Sequence, residues 1–123
     1  MNQRLLHAFA ALCLAATLGF AQDFRATISG RVYDSSGGAI PSARIQAVNV
    51  ANNETSSAIS DASGAYSIPF LRPGNYRITV SADGFKQFIR ENVILEVGRV
   101  VGIDITMEVG AVTENITVTA EAA

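Results

Sequence analysis

Short alternating segments separated by turn residues at close intervals constrain the fold of this 123-residue chain more than any other feature. The segment 75–82 alternates apolar and polar residues strictly, which predicts a strand with one buried and one solvent-facing side. Asp, Asn, Gly and Pro separate it from six further segments of strand character, and no segment has helical periodicity. The predicted strands are 27–33, 43–50, 55–60, 66–70, 75–82, 85–95 and 101–109.

Seven strands with turns roughly every 8 to 12 residues fit an all-β, antiparallel Greek-key β-sandwich. The polar segment 55–60 predicts an edge strand. The irregular alternation of 85–95 predicts a strand, a bulge and a short second piece. The regular alternation of 101–109 predicts one continuous strand.

Two strands carry specific predictions about which side chains are buried. Apolar residues of 43–50 fall on both faces, with Ile45 on one and Val48 and Val50 on the other, which predicts cover on both sides. In 66–70, Tyr66, Ile68 and Phe70 are predicted to share one face, and Pro69 favours a position that needs no backbone donor.

The first 21 residues have the three-part pattern of a secretory signal peptide. Arg4 supplies the positive start, 5–20 is largely apolar, and small residues at 19 and 21 predict cleavage after Ala21. The alternative, a transmembrane anchor, calls for roughly 20 unbroken apolar residues. Because this run is shorter, we expect no transmembrane segment in the mature chain. Leu12 disfavours a lipidated Cys13, since a small residue is expected before such a cysteine.

Cleavage after Ala21 leaves 102 of the 123 residues, enough for a single domain. Arg4 is the only charged residue removed, so 8 basic and 11 acidic residues remain and the net charge is −3. The basic residues are scattered along the chain. Nucleic-acid binding is therefore not expected, because it needs a basic face to neutralise phosphates.

The only His and the only Cys, His7 and Cys13, both lie in the predicted signal peptide. Without them the mature chain lacks the usual zinc ligands, a histidine base for a nucleophile, and any cysteine pair. We therefore expect no enzyme activity, no catalytic residue, no metal site and no cofactor. Eleven acidic residues leave calcium or a carboxylate-pair glycosidase formally open.

Neither of these two acidic alternatives is favoured by the positions of the carboxylates. The turn at 61–64 resembles a calcium loop only faintly, because Arg72 occupies the twelfth position, where a helix-loop-helix site needs a bidentate Glu. Asp34, Asp61 and Asp83 all fall in predicted turns of a small domain, whereas a glycosidase needs two acids across a cleft.

An ordered run of motifs resembles the carboxypeptidase regulatory-like domain, a family with a transthyretin-like or carbohydrate-binding-like sandwich. The run covers ISGRVYD at 28–34, GAIP at 38–41, and DASGAYSIPFLRPGNYRITVSADGF at 61–85. The resemblance spans about 27–109 and implies no peptidase activity, because the zinc ligands of such carboxypeptidases lie in a separate domain. From the residues themselves, Gly30 predicts close packing within a strand, and Gly64 a turn with positive φ.

The segment VGAVTENITVTAEA at 109–122 is similar to the segment that follows this domain in large TonB-dependent outer-membrane receptors and leads into the plug. In those receptors the domain is an N-terminal extension. We thus divide the chain into a signal peptide (1–21), the sandwich domain (22–109) and a linker-like tail (110–123). The expected location is the periplasm or the outer membrane, with secretion as an alternative. The expected partner is an envelope protein or the rest of a receptor, and polysaccharide is the other candidate.

The resulting functional prediction is a non-catalytic envelope module for structural attachment or protein interaction, and the alternative is a carbohydrate-binding module. Tyr66 and Tyr76 are predicted to be core residues whose hydroxyls bond to loop backbone. The aromatic residues not assigned to the core, Phe24, Tyr33 and Phe88, are the candidate ligand face.

Overall fold

The structure is a computed structural model that describes residues 25–111 and 115–119. The predicted signal peptide, Phe24, and parts of the predicted tail (112–114 and 120–123) lie outside the described residues. The strands are β1 (Ala26–Asp34), β2 (Arg44–Asn49), β3 (Thr55–Ile59), β4 (Ala65–Leu71), β5 (Gly74–Ser81), β6 (Gln87–Leu95), β7 (Val100–Gly102), β8 (Ile105–Met107) and β9 (Asn115–Thr119). Across the described ranges, no helix has the length and hydropathy needed to cross a bilayer.

Two sheets form the predicted all-β sandwich. The four-stranded sheet has the order β4-β1-β7, with β8 also paired to β1, and the five-stranded sheet has the order β3-β2-β5-β6-β9. Alternate residues of β1, β2 and β5 are buried and form the core between the sheets, among them Ile28, Ile45, Ile78 and Val80. β3 is an edge strand, as its polar sequence predicts.

The pairing is mixed rather than wholly antiparallel as predicted. β7 and β8 both run parallel to β1, and β9 runs parallel to β6. β7 and β8 run parallel to β1 because of where β6 stops. The last residues of β6 lie at the end of the sandwich where β1 begins, so the chain that leaves the turn at 96–99 runs in the same direction as β1.

The predicted continuous strand 101–109 is wrong, because the chain leaves the ladder at Ile103 and forms β7 and β8 separately. The Ile103 carbonyl enters the space beside Gly30, where a Cβ would lie only 2.0 Å from its oxygen. There it accepts a hydrogen bond of 2.5 Å from the buried Tyr66 hydroxyl. The close packing predicted at Gly30 and the core role of Tyr66 are confirmed.

The prediction that Phe70 shares the buried face of Tyr66 and Ile68 is wrong. Leu71 pairs with Ala26 and Ile68 pairs with Ile28, so one residue of β1 faces two of β4. This bulge shifts the alternation by one residue. Phe70 is therefore 65% exposed and Leu71 takes the core position at 2%.

The predicted cover on both faces of 43–50 is also wrong. Val50 is 47% exposed, and Val48 lies on the outer face of the five-stranded sheet, whose inner face alone packs on the other sheet. The bulge predicted in 85–95 is confirmed: Tyr76 pairs with Val93 but Ile78 pairs with Arg90. Positive φ at Gly64 (79°) is confirmed as well.

Candidate binding surface

The outer face of the four-stranded sheet carries the most distinctive exposed side chain, Phe70, and is called here the Phe70 face. Because Ala26, Ile28 and Val32 of β1 point into the core, Thr27, Ser29 and Arg31, which alternate with the inward positions, point outward. Their cross-strand neighbours define three rows: Pro69 and Phe70 beside Thr27 and Val100; Ser67 beside Ser29 and Gly102; and Ala65 beside Arg31. Tyr33, paired with Thr106, lies beyond the third row.

Phe70 is held outward by backbone geometry as well as by the bulge. Its φ is 61°, in the left-handed region that bulky side chains rarely adopt. Such a conformation costs on the order of 1–3 kcal/mol and persists only where the surrounding structure enforces it. Here the burial of Leu71 on one side and of Ile68 on the other enforces it. The residue with the strained backbone is therefore the one whose aromatic ring is exposed to solvent.

Apolar exposure continues around Phe70. Val100, which pairs with Thr27 in the same row, is 71% exposed, and Val97 in the preceding turn is also exposed. Val50 and Ile94 are also exposed at this end, flanking Asn75 of β5, but they lie on the outer side of the five-stranded sheet, across the sandwich from Phe70. The connecting turns at the other end contain Asp34, Asp61 and Asp83.

The middle row of the Phe70 face consists of small residues. Ser67, Ser29 and Gly102 lie side by side across three strands. Neighbouring strands are about 4.8 Å apart, and residues on one face of a strand repeat every 6.6 Å or so. The row thus forms a shallow floor between Phe70 and Val100 on one side and Arg31 on the other. The backbone N–H of Arg31 donates to the Asp104 carboxylate at 3.0 Å.

The structure separates the three predicted ligand-face residues. Tyr33 is half-buried on the Phe70 face, where its backbone bridges to Ala39. The placement of Phe88 on an exposed face is wrong: it is 7% exposed because it pairs with Val80 and points between the sheets. Phe24 lies outside the described residues. Phe70 is not among the residues predicted for a ligand face, and the one signal in the sequence for its outward position is Pro69 within a strand.

Two turns of matching design occupy the end of the sandwich opposite Phe70. In each, one Asp oxygen accepts hydrogen bonds from a Ser backbone N–H, the Ser hydroxyl and a further backbone N–H, at 2.6–3.0 Å. The residues are Asp34 with Ser36 and Gly38, and Asp61 with Ser63 and Ala65. These hydrogen bonds lower the pKa of both Asp carboxyls below the ordinary value of 3.8, and in each turn the bond from the Ser hydroxyl has the largest effect. The carboxylates therefore have a structural role in fixing the turns.

Tyr76 and Tyr66 fill the core positions predicted for them. The Tyr76 hydroxyl donates to the Arg72 carbonyl at 2.7 Å and fixes the turn between β4 and β5. Burial raises the pKa of the Tyr66 phenol, and the nearby Asp104 carboxylate raises it further. Both tyrosines are thus excluded from a ligand platform, which leaves Phe70 and Tyr33 as the aromatic residues of the Phe70 face.

Comparison with known proteins decides the family. The sequence profile of the carboxypeptidase regulatory-like domain matches residues 27–108, about two thirds of the chain. The chain belongs to the carboxypeptidase regulatory-like domain family. The matched range begins in β1 and ends just after β8, so it covers all of the four-stranded sheet and all of the five-stranded sheet except β9. A comparison with curated proteins finds no match.

Three solved structures illustrate how widely this domain's fold occurs. A Bacteroides uniformis ATCC 8492 protein whose name assigns it to carbohydrate binding is 15% identical, with a TM-score of 0.56, 67% of this chain covered and 40% of that chain. A type II cohesin-X-dockerin complex from Acetivibrio cellulolyticus is 20% identical, with a TM-score of 0.52 and 69% and 58% covered. Hydroxyquinol 1,2-dioxygenase from Pseudomonas putida DLL-E4 is 12% identical, with a TM-score of 0.56 and 74% and 58% covered.

At these identities the likeness shows the fold of the carboxypeptidase regulatory-like domain and nothing of its activity. The chain spans 40% to 58% of the chains in the three structures. The first two structures concern binding and the third an enzyme. The family itself is described as a regulatory-like domain.

Proposed function

We propose that this protein is a non-catalytic, protein-interaction module of the bacterial envelope that binds its partner through the Phe70 face. The observation that carries the proposal is Phe70 itself, a large aromatic side chain that a strained bulge turns away from the core and leaves 65% exposed. Aromatic residues are enriched among the few side chains that dominate binding energy at protein interfaces.

The surroundings of Phe70 fit a protein interface better than an isolated exposed residue. Val97 and Val100 extend the apolar surface, and the Arg72–Glu54 and Arg99–Glu96 pairs, both well exposed, border it. An apolar centre with a polar, charged border is the usual anatomy of such interfaces. Apolar residues exposed singly on a surface need no explanation, but Phe70 and Val100 lie in one row on the two sides of Thr27, which favours contact with a partner.

The non-catalytic part of the proposal rests on the residues available. Beyond residue 21 the sequence contains neither His nor Cys. Among the described residues, no three carboxylate or other metal-ligating side chains form a cluster, and the carboxylates of Asp34 and Asp61 are engaged in turns. Envelope location is supported by the signal-peptide pattern of residues 1–21 and by the receptor-like sequence of the tail.

A binding experiment with a matched control variant tests the proposal. Phe70→Ser removes the aromatic anchor, and Ile59→Ser makes a comparable change at a residue that is also 65% exposed but lies on β3 of the other sheet. The purified protein and both variants are incubated with isolated outer membranes and sedimented. We expect Phe70→Ser to lower the bound fraction at least tenfold and Ile59→Ser to leave it unchanged. Equal binding of all three proteins would contradict the proposal.

Carbohydrate binding is the second candidate, and one feature of the Phe70 face favours it. Two aromatic residues, Phe70 and Tyr33, share this face with the hydroxyls of Ser29 and Ser67 between them, and sugars are bound by aromatic rings together with polar groups. The likeness to the Bacteroides uniformis protein is consistent with this candidate. A glycan array distinguishes the two: saturable binding to a defined sugar that Tyr33→Ala abolishes would establish the second candidate instead of the first.

A further inference from the structure

A second surface, distant from the Phe70 face, lies where β2 begins and β5 ends. It is an open concavity of about 310 Å³, called here the Arg44 concavity, lined by Ser42, Arg44, Ser81, Ala82 and Asp83. Its volume is at the lower limit of about 300–1,000 Å³ typical of small-molecule sites. Such a volume suits a small molecule rather than a polymer.

Three separate elements bring these side chains together. Arg44 and Ser81 are paired residues of neighbouring antiparallel strands, β2 and β5, so their side chains project from the same side of the sheet. The turn closed by the hydrogen bond from Phe85 N–H to the Ala82 carbonyl (3.1 Å) places Asp83 at the rim. Ser42 precedes β2 with a φ of 60°, a strained value that is common at ligand-binding positions.

The two charged side chains of the Arg44 concavity form no ion pair with each other. Arg44 and Asp83 line the same space, but no ion pair within 4.0 Å joins them or engages either one among the residues that the structure describes. The side-chain hydroxyls of Ser42 and Ser81 likewise have no hydrogen-bond partner in that part of the chain. A cationic group, an anionic group and two hydroxyls are thus available to one ligand.

We propose that the Arg44 concavity binds the zwitterion of a small α-amino acid. The planar guanidinium of Arg44 matches a carboxylate, to which it can donate two parallel hydrogen bonds. The Asp83 carboxylate accepts hydrogen bonds from the ammonium group, and the Ser42 and Ser81 hydroxyls complete the polar contacts. None of the five lining residues is aromatic, so the concavity lacks the ring platform on which a sugar would stack.

The test is a titration of the ¹⁵N-labelled protein with L-alanine, followed by amide chemical shifts. Because the concavity is open to solvent, we expect a Kd of about 1 mM, with saturable shifts confined to residues 42–44 and 81–84. Two analogues each lack one charge: N-acetyl-L-alanine has no ammonium and L-alaninamide has no carboxylate. Each is expected to bind at least tenfold more weakly, as hydrogen bonds between charged groups contribute that much.

Variants check that the two charged side chains are responsible. Arg44→Ala and Asp83→Asn are each expected to weaken L-alanine binding at least tenfold, whereas Arg77→Ala, on β5 but outside the concavity, leaves it unchanged. The unperturbed part of the amide spectrum shows whether each variant is folded. Absence of saturable shifts in the folded wild-type protein, or equal binding of L-alanine and N-acetyl-L-alanine, would overturn the proposal. Neither outcome bears on the Phe70 face, which lies elsewhere.

Discussion

At the scale of single residues, Gly30 is the position where the packing leaves least room. A Cβ there would lie 2.0 Å from the Ile103 oxygen and 2.6 Å from its carbon, both backbone atoms. We expect Gly30→Ala to lower the free energy of unfolding by about 2 kcal/mol or more, because the backbone at Ile103 must move. Chemical denaturation measures the change. Gly102→Ala is the control, since a Cβ there meets nothing within 4 Å, and an equal loss in both variants would contradict the account.

The hydroxyl of Tyr66 is the second decisive group at this scale. Tyr66→Phe leaves the buried Ile103 carbonyl without its donor, and we expect it to lower the free energy of unfolding by about 1–3 kcal/mol. Tyr76→Phe, whose hydroxyl bonds to Arg72 in a less buried position, should cost less. Denaturation of both variants under identical conditions compares them, and a larger effect at Tyr76 would contradict the assignment.

Burial of Tyr66 also predicts a change of stability with pH. Its pKa is raised in the folded state, so the unfolded chain releases the phenol proton first, and stability is retained below the unfolded value of about 10 but falls above it. We expect wild-type stability to decline above about pH 10, and Tyr66→Phe to decline less steeply. Thermal unfolding between pH 8 and 11 measures this. Parallel curves for both proteins would contradict the prediction.

At the scale of elements, the two Asp turns predict a loss of stability in acid. The pKa of both Asp34 and Asp61 is lowered in the folded state, so their contribution is present above the unfolded value of about 4 and is lost as the pH falls through the folded values. The variant with Asp34→Asn and Asp61→Asn should show a shallower decline below pH 4 in thermal unfolding. A decline in the double variant as steep as that of the wild type would contradict the prediction.

The contacts of β9 allow a prediction of how much of the chain the domain needs in order to fold. Among the residues that the structure describes, the buried hydrophobic side chains lie between Ala26 and Met107, and β9 contacts the rest of the sandwich mainly by pairing with the edge of β6. A chain ending at Gly110 should therefore still unfold cooperatively, at a lower Tm than the full chain. Circular dichroism during heating measures both properties. Loss of the cooperative transition would show that β9 is part of the essential core.

The elements also show where prediction from sequence succeeds and fails. β5 alternates without interruption, so both its position and its buried face could be predicted. In β4, the bulge opposite Thr27 places Leu71 in the core and Phe70 at the surface. A shift of one residue reverses the side of the sheet to which the following side chains point. The break at Ile103 depends on a contact with Gly30, more than seventy residues earlier. Such long-range contacts leave no local pattern in the sequence.

At the scale of the whole molecule, exposed apolar side chains occur at both ends of the sandwich, and what distinguishes the Phe70 end is an exposed aromatic residue. Phe70, Val97 and Val100 lie where β4 ends and β7 begins, whereas Ile59 and Val109 are exposed at the other end, near the turns at Asp61 and Asp83. The fold and the family could be recognised from the sequence because turn and core positions recur in order. The candidate binding surface could not be predicted, because the sequence pattern assigns Phe70 to the core.

Site-specific cross-linking tests most directly whether the Phe70 face binds a protein. Cys13 is the only cysteine, in the predicted signal peptide, so Ser67→Cys and Ser57→Cys place single reactive thiols on the outer faces of the two sheets. Each mature protein is labelled with a benzophenone maleimide and irradiated with isolated envelopes. We predict a discrete protein adduct from position 67 only, suppressed by excess unlabelled wild-type protein but not by Phe70→Ser. Equal adducts from both positions, or none from position 67, would contradict the account.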